Sequence, residues 1–318
     1  MNVRRRLIST AAATAVTALG LGSLTACSGG SAAANTSRFD VVASFYPTAF
    51  LAEQIGGKHV HVTSLTSPGQ EPHDLELSTR QIAGLQETDA VLYLKGLQPS
   101  VDEAVAQSSV GTKIDAASFT TLEKHGNEVG GHAAAHDTHR GEESGGRDPH
   151  IWLDPVRYAE VARGVGRAFE KADPEHAADY AKNTANLVKR LDDLDTRFRD
   201  GLTGTRTKTF ITTHAAFGYL AERYGLTEEA INGLDPESEP SAARVKDLEK
   251  LAAADGVTTV FYETLVSDKT AKTVAHDAGL RTDVLDPIEG ITKRSRGTDY
   301  FSVQEANLKA LRQSLGAK

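Results

Sequence analysis

The sequence predicts an α/β protein of two lobes, each built on a mostly parallel sheet, with one long helix between them. Three observations carry this. Short apolar runs alternate with amphipathic stretches of helical spacing, the pattern of strand–helix–strand units. That rhythm occurs twice, once before residue 122 and once after residue 207. Between the two passes, Pro174 to about Asp200 carries apolar residues at three-or-four spacing, enough for a helix about 40 Å long.

The first pass places strands at Phe39–Phe45, Val60–Leu65, Ala90–Leu94 and Lys113–Asp115, with helices over Ser78–Thr88 and Val101–Gln107. Glu123–Arg147 (EKHGNEVGGHAAAHDTHRGEESGGR) then breaks the pattern, with one valine as its only large apolar residue. Such a segment cannot bury enough surface to offset ordering, so a mobile His-rich loop is expected at 123–147. Asp154-Pro155 supplies an N-cap and first helical position, followed by Val161, Val165, Ala168 and Phe169 on one face. The long helix follows Asp173-Pro174 and buries Tyr180, Leu187, Leu191, Leu194 and Phe198.

The second pass runs through a strand at Lys208–Thr213, a helix Ala215–Tyr224 closed by Gly225, and a helix from Ser241 to about Ala254. A strand Thr258–Glu263, a helix Asp268–Ala278 and a strand Thr282–Leu285 follow. The closing helix is expected at Phe301–Leu315, with Ser302 and Glu305 at capping-box spacing. The expected organisation is a first lobe at 38–172, a linking helix at 173–202 and a second lobe at 203–318.

Residues 1–37 read differently. MNVRRR is basic, Leu7–Leu24 is apolar and uncharged, and the run ends in Leu24-Thr25-Ala26-Cys27, the layout of a bacterial export signal. Leu-Thr-Ala-Cys resembles a lipobox, where bacterial lipoproteins are cut before a cysteine that is then lipidated. Arg4-Arg5 before Leu7-Ile8 also loosely resembles a twin-arginine signal. The expectation is a signal peptide at 1–26, then lipidated Cys27 and a flexible tether to residue 37. Cys27 is the only cysteine, which excludes an intramolecular disulfide and gives acylation a purpose. Two or three acyl chains anchor stably where one does not. The protein is thus expected at the extracellular face of the cytoplasmic membrane, held by lipid only. Removing the three leader arginines takes the formal charge from −8 to about −11. This acidic balance, without a basic stripe, argues against nucleic acid as a partner.

No glycine-rich phosphate loop, G-x-S-x-G or H-E-x-x-H occurs. Three isolated histidines stand out instead. His73 lies in Gly69-Gln70-Glu71-Pro72-His73-Asp74, just past the second strand. His150 lies in Asp148-Pro149-His150-Ile151-Trp152-Leu153-Asp154-Pro155. His214 lies in Thr213-His214-Ala215-Ala216-Phe217, where a strand ends and a helix begins. Ligands of α/β sheets collect outside the carboxyl ends of strands, and imidazole is the commonest metal ligand.

These stretches, together with Val42-Ala43-Ser44-Phe45-Tyr46-Pro47 and the His-rich insertion, resemble the landmarks of the metal-binding solute-binding lipoproteins of ABC importers, in their zinc (ZnuA-type) branch. The resemblance covers nearly the whole chain after the tether. It implies two lobes joined by one rigid helix and a single metal ion in the cleft. His73 and His150 would come from the first lobe and His214 from the second. It also implies a fourth, carboxylate position near the end of the chain. Asp286-Pro287-Ile288-Glu289 offers two candidates, with Glu289 preferred over Asp286; Glu71 or water are further options. Partners would be an ABC permease and its ATPase, with the binding protein itself a monomer and not an enzyme.

Three imidazoles and one oxygen form a borderline-soft tetrahedral set that suits Zn²⁺. Manganese members of the family carry Glu where His214 stands, a harder set that suits Mn²⁺. Other divalent ions remain an alternative reading, as do a zinc hydrolase recruiting Glu71 and a surface adhesin. His125, His132, His136 and His139 are expected to form an accessory zinc trap rather than the primary site, because ordering a mobile loop lowers its affinity.

Overall fold

The computed structural model describes residues 38–126, 128–129 and 147–317. Among them, the first sheet is parallel throughout, with four strands in the order β2–β1–β3–β4. These are β1 (Phe39–Ala43), β2 (Val60–Ser64), β3 (Ala90–Tyr93) and β4 (Thr112–Asp115). The inner strands are covered on both faces over most of their length, which is why Val41–Ala43 of β1 and all of β3 read as apolar runs. Helix α1 (Tyr46–Gly56) was not anticipated. It buries Pro47, Phe50, Leu51, Ala52 and Ile55, so little polar face remains to reveal its period. Helices α2 (Thr79–Gly84) and α3 (Pro99–Gln107) complete this half.

The second sheet runs β5–β7–β6–β8–β9, parallel except where β5 meets β7. Its strands are β5 (Glu128–Val129), β6 (Thr209–Thr212), β7 (Thr227–Ala230), β8 (Thr259–Tyr262) and β9 (Arg281–Val284). Two depart from expectation. β5 lies inside the segment read as loop, and its backbone pairs with β7, Val129 opposite Glu228. β7 reads Thr-Glu-Glu-Ala, yet both glutamates are buried. Glu228 accepts from the Thr212 hydroxyl and the Phe217 N–H, and Glu229 pairs with Arg244.

Helix α4 (Pro155–Ala172) starts as expected, with the Asp154 carboxylate accepting from the Val156 N–H. Arg223 of α6 (Gly218–Tyr224) grips the same carboxylate at 2.7 Å. A 3₁₀ turn at Pro174–His176 precedes the long helix α5 (Ala177–Gly201), whose 25 residues span about 37 Å. It packs along α4 and touches both α1 and α9 (Tyr300–Leu315), so it contacts elements associated with each sheet. The packing at α4 is close enough to need glycine. A Cβ on Gly164 would sit 2.1 Å from the Phe119 ring, and one on Gly166 would sit 2.3 Å from Thr184 Oγ1.

Helices α7 (Ala242–Asp255) and α8 (Lys269–Asp277) flank the second sheet. Helix α6 starts later than expected, because Ala215 and Ala216 form a turn that bonds to Gly233 and His214. Helix α9 is capped by Asp299, which accepts from the Ser302 N–H at 2.8 Å; the expected Ser302–Glu305 box does not form. Glu305 instead pairs with Arg197 of α5. Starting earlier brings Tyr300 into the helix and into the core. One apolar cluster joins both halves through Trp152, Tyr158, Phe169, Tyr180, Phe198 and Tyr300. No helix among the described residues is long and apolar enough to cross a membrane.

Candidate metal centre

The carboxyl ends of the strands supply most of the site. After β6 come Thr213 and His214, after β8 Glu263, and after β9 the Asp286–Glu289 turn. His73 lies in the connection after β2, and His150 precedes the short turn that leads into α4. The structure brings His73, His150, His214 and Glu289 together, one donor atom from each lying within 4.8 Å of the others. Glu289 Oε1 is 3.3 Å from His73 Nε2, 3.4 Å from His150 Nε2 and 3.6 Å from His214 Nε2. The Nε2 atoms of His73 and His150 are 3.4 Å apart. A regular tetrahedron with edges of this length has its centre about 2.0–2.2 Å from each corner, the bond range of Zn²⁺ to imidazole nitrogen and carboxylate oxygen, and these four of the six edges fit it.

Two of the three rings are held from behind. Asp148 Oδ1 takes both the Nδ1 (2.7 Å) and the backbone N–H (2.9 Å) of His150. Glu263 Oε1 takes His214 Nδ1 at 2.8 Å and the Thr213 hydroxyl at 2.9 Å. A carboxylate on Nδ1–H fixes the tautomer that turns Nε2 inward and makes the ring a better ligand. Neither carboxylate was singled out from sequence. The available signals were Asp148 two residues before His150 and Glu263 at a strand's carboxyl end.

Glu289 is set by its turn. Trp152 Nε1–H donates to the Pro287 carbonyl at 2.7 Å, and the Ile288 N–H donates to Asp286 Oδ1 at 2.8 Å. Ile288 has φ 60°, a conformation costly for a β-branched residue and held here by full burial. Asp286 also accepts from the Thr264 hydroxyl, so it builds the turn while Glu289 faces the histidines. Glu71 accepts the N–H groups of His73 and Asp74 through one oxygen.

The site is nearly dry. The His150, His214 and Glu289 side chains are at most 1 % exposed, and His73 is 12 % exposed. Burial disfavours charge on His150, but Asp148 and Glu289 outweigh it and push its pKa up to about 9. His214 likewise rises well above the ordinary imidazole value, because Glu263 and Glu289 overcome its burial. Burial would raise Glu289, yet the His150, His214 and His73 rings that face it hold it well below the usual carboxylate range. Burial and the nearby Glu289 push Glu71 up to about 8. Even so, His214 Nε2 and Glu289 Oε2 are buried without a hydrogen-bond partner. Unpaired buried polar atoms are costly, and a cation at the centre would satisfy the first of these.

His125 is not on an exposed loop. Its ring is 8 % exposed, with Nδ1 on Asp148 Oδ2 at 2.6 Å. Asp148 and Tyr219 enclose it, in place of the exposed setting expected for an accessory zinc ligand. His132, His136, His139 and Cys27 lie outside the described residues.

Two sheets that turn their carboxyl ends on three imidazoles and a carboxylate, all aimed at one point, define a metal-binding protein of the two-lobed α/β class. The model of the zinc-uptake complex component A (ZnuA, periplasmic) family matches residues 41–314, and the chain belongs to that family. It is 35% identical over 288 residues to the zinc-binding protein AdcA of Streptococcus pyogenes, covering 86% of this chain and 55% of that protein. The chain thus spans about half the length of AdcA. It is 33% identical over 298 residues to the high-affinity zinc uptake system protein ZnuA of Bacillus subtilis, covering 91% of each. Among solved structures, the Zn(II)-bound ZnuA-like domain of Streptococcus pneumoniae AdcA matches with TM-score 0.72 and 31% identity over 88% of this chain and 99% of that one. The laminin-binding protein Lmb of Streptococcus agalactiae, described as having adhesin and metal-transporting activity, matches with TM-score 0.76 and 28% identity over 87% and 99%.

Proposed function

We propose that this protein captures Zn²⁺ outside the cytoplasm and delivers it to an ABC permease and its ATPase for import. His73, His150, His214 and Glu289 are the ligands in this reading. The observation that carries it is the tetrahedral spacing of those four donor atoms, 3.3 to 3.6 Å where measured against Glu289. Three imidazoles and one carboxylate favour Zn²⁺ over Mn²⁺, which prefers a harder set. The donor count also supports a carrier over a hydrolase: a catalytic zinc keeps a position open for water, whereas four protein donors close this one. Export and anchoring through lipidated Cys27 follow from the Leu24-Thr25-Ala26-Cys27 stretch, with the protein acting as a monomer at the outer face of the cytoplasmic membrane. Its membership of a zinc-uptake family supports the transport role.

The test is a zinc titration against a competing chelator, run beside His214→Ala and with Mn²⁺ as challenger. Tight zinc binding at one equivalent, lost in His214→Ala and not displaced by Mn²⁺, is expected. Tight binding that survives His214→Ala would place the site elsewhere.

A further inference from the structure

The carboxylate that orients His150 has two oxygens, and both are in use. Asp148 Oδ1 holds His150, while Oδ2 is held by His125 Nδ1 at 2.6 Å. Asp148 is fully buried. The protein makes deliberate room for this contact: a Cβ on Gly218 would lie 2.5 Å from His125 Nδ1. The backbone around His125 is docked on the same wall. The Asp148 N–H donates to the Glu123 carbonyl at 2.9 Å, and the Glu123 N–H donates to the Tyr219 hydroxyl at 2.8 Å. The other ring nitrogen, Nε2, is 3.7 Å from Glu222, beyond hydrogen-bond reach, so Nδ1 is the working atom.

We propose that His125 is a positioning residue of the metal centre, fixing the outer oxygen of Asp148 so that the inner one aims His150. This rests on the zinc reading above. A carboxylate gripped at one oxygen only can pivot about its side-chain torsion. Any pivot of Asp148 tilts the imidazole ring that it holds, and a bond near 2.0–2.1 Å tolerates little tilt. Losing the direct partner of a ligating histidine costs about 10–100-fold in metal affinity. His125 acts one contact further out, so an effect of about 3–10-fold is expected.

The test compares two amides in the full chain. In His125→Asn the side-chain N–H₂ falls where Nδ1 lies. In His125→Gln it falls nearer the place of Nε2. Arg157→Gln disturbs the same wall from one step further off: its guanidinium lies over the Tyr219 ring and pairs with Glu123 at 3.2 Å. The readouts are the zinc dissociation rate on chelator challenge, the visible absorption of the Co²⁺-loaded protein, and the Tm of the metal-free form. His125→Gln should release zinc about 3–10-fold faster with an altered Co²⁺ band, and His125→Asn should stay within about twofold of the unaltered chain. Arg157→Gln should lower the metal-free Tm and leave the dissociation rate alone. Equal rates for Asn and Gln, or an Arg157→Gln rate as fast as Gln, would overturn the role of His125 and leave the zinc reading intact. Failure of the unaltered chain to bind zinc would overturn both.

Discussion

Protons compete with zinc for this centre, and the structure sets the pH window in which they do so. In the metal-free protein the His150 pKa stands at about 9, and that of His214 is also raised. Zinc needs both rings deprotonated at Nε2. At pH 7, taking the proton from His150, with a pKa of about 9, costs about 3 kcal/mol, so that proton alone weakens apparent binding about 100-fold relative to the alkaline limit. The apparent Kd should therefore fall about tenfold to 100-fold per pH unit from pH 6.5 to 8.5, with the His150 share of that slope lost above pH 9. This lies above the window of an ordinary imidazole, near pH 6.5. Calorimetric titrations in buffers of different ionisation enthalpy should count between about one and two protons released per zinc bound. Asp148→Asn removes the strongest attraction on the His150 proton and should move the plateau toward neutrality. A constant Kd from pH 6.5 to 8.5, with no proton release, would refute the reasoning.

The same groups govern the stability of the metal-free form. His150, Glu71 and Glu228 all have raised pKa values, about 9, 8 and 7, so the folded state holds protons that the unfolded chain gives up. The His150 contribution, about 3 kcal/mol, is complete below pH 6.5 and lost as pH rises through 9; the Tm should drop on the order of 5–10 °C over that range by calorimetry, and less with zinc bound. His214→Ala removes one of the four proposed ligands, and with zinc sites worth about 10–16 kcal/mol it should weaken binding at least about 100-fold in chelator competition. It also leaves Glu263 Oε1 with only the Thr213 hydroxyl, so the metal-free Tm should fall too. Gly164→Ala pushes a methyl group into the Phe119 ring and should destabilise the fold by about 1–3 kcal/mol in denaturant melts, without changing the zinc Kd.

What could be read in advance was whatever depends on neighbours in sequence. The strands of the first sheet, the Asp154-Pro155 helix start and the long amphipathic helix all announce themselves through local period and capping chemistry. The three histidines could be singled out for the same reason, each standing in a distinctive stretch at or near the edge of an element. What stayed hidden depends on distant partners. β7 carries two buried glutamates, and nothing near them in sequence shows that Thr212, Phe217 and Arg244 will meet them. His125 sat in a stretch with a single large apolar residue, and its burial depends on the space left at Gly218.

The fourth ligand shows the limit most sharply. Asp286 and Glu289 are both acids in one short turn, and composition cannot choose between them. The choice is made by Ile288 at φ 60°, a residue type that avoids that conformation. Its N–H closes onto Asp286 Oδ1, which commits Asp286 to the turn, and the Trp152 indole clamps Pro287 from the side. With the backbone so bent, Glu289 Oε1 faces all three histidines. The geometry of the centre thus rests on strain held in place by the core: the same Trp152 that clamps the turn packs on Phe45 and bonds through its carbonyl to the Tyr300 hydroxyl.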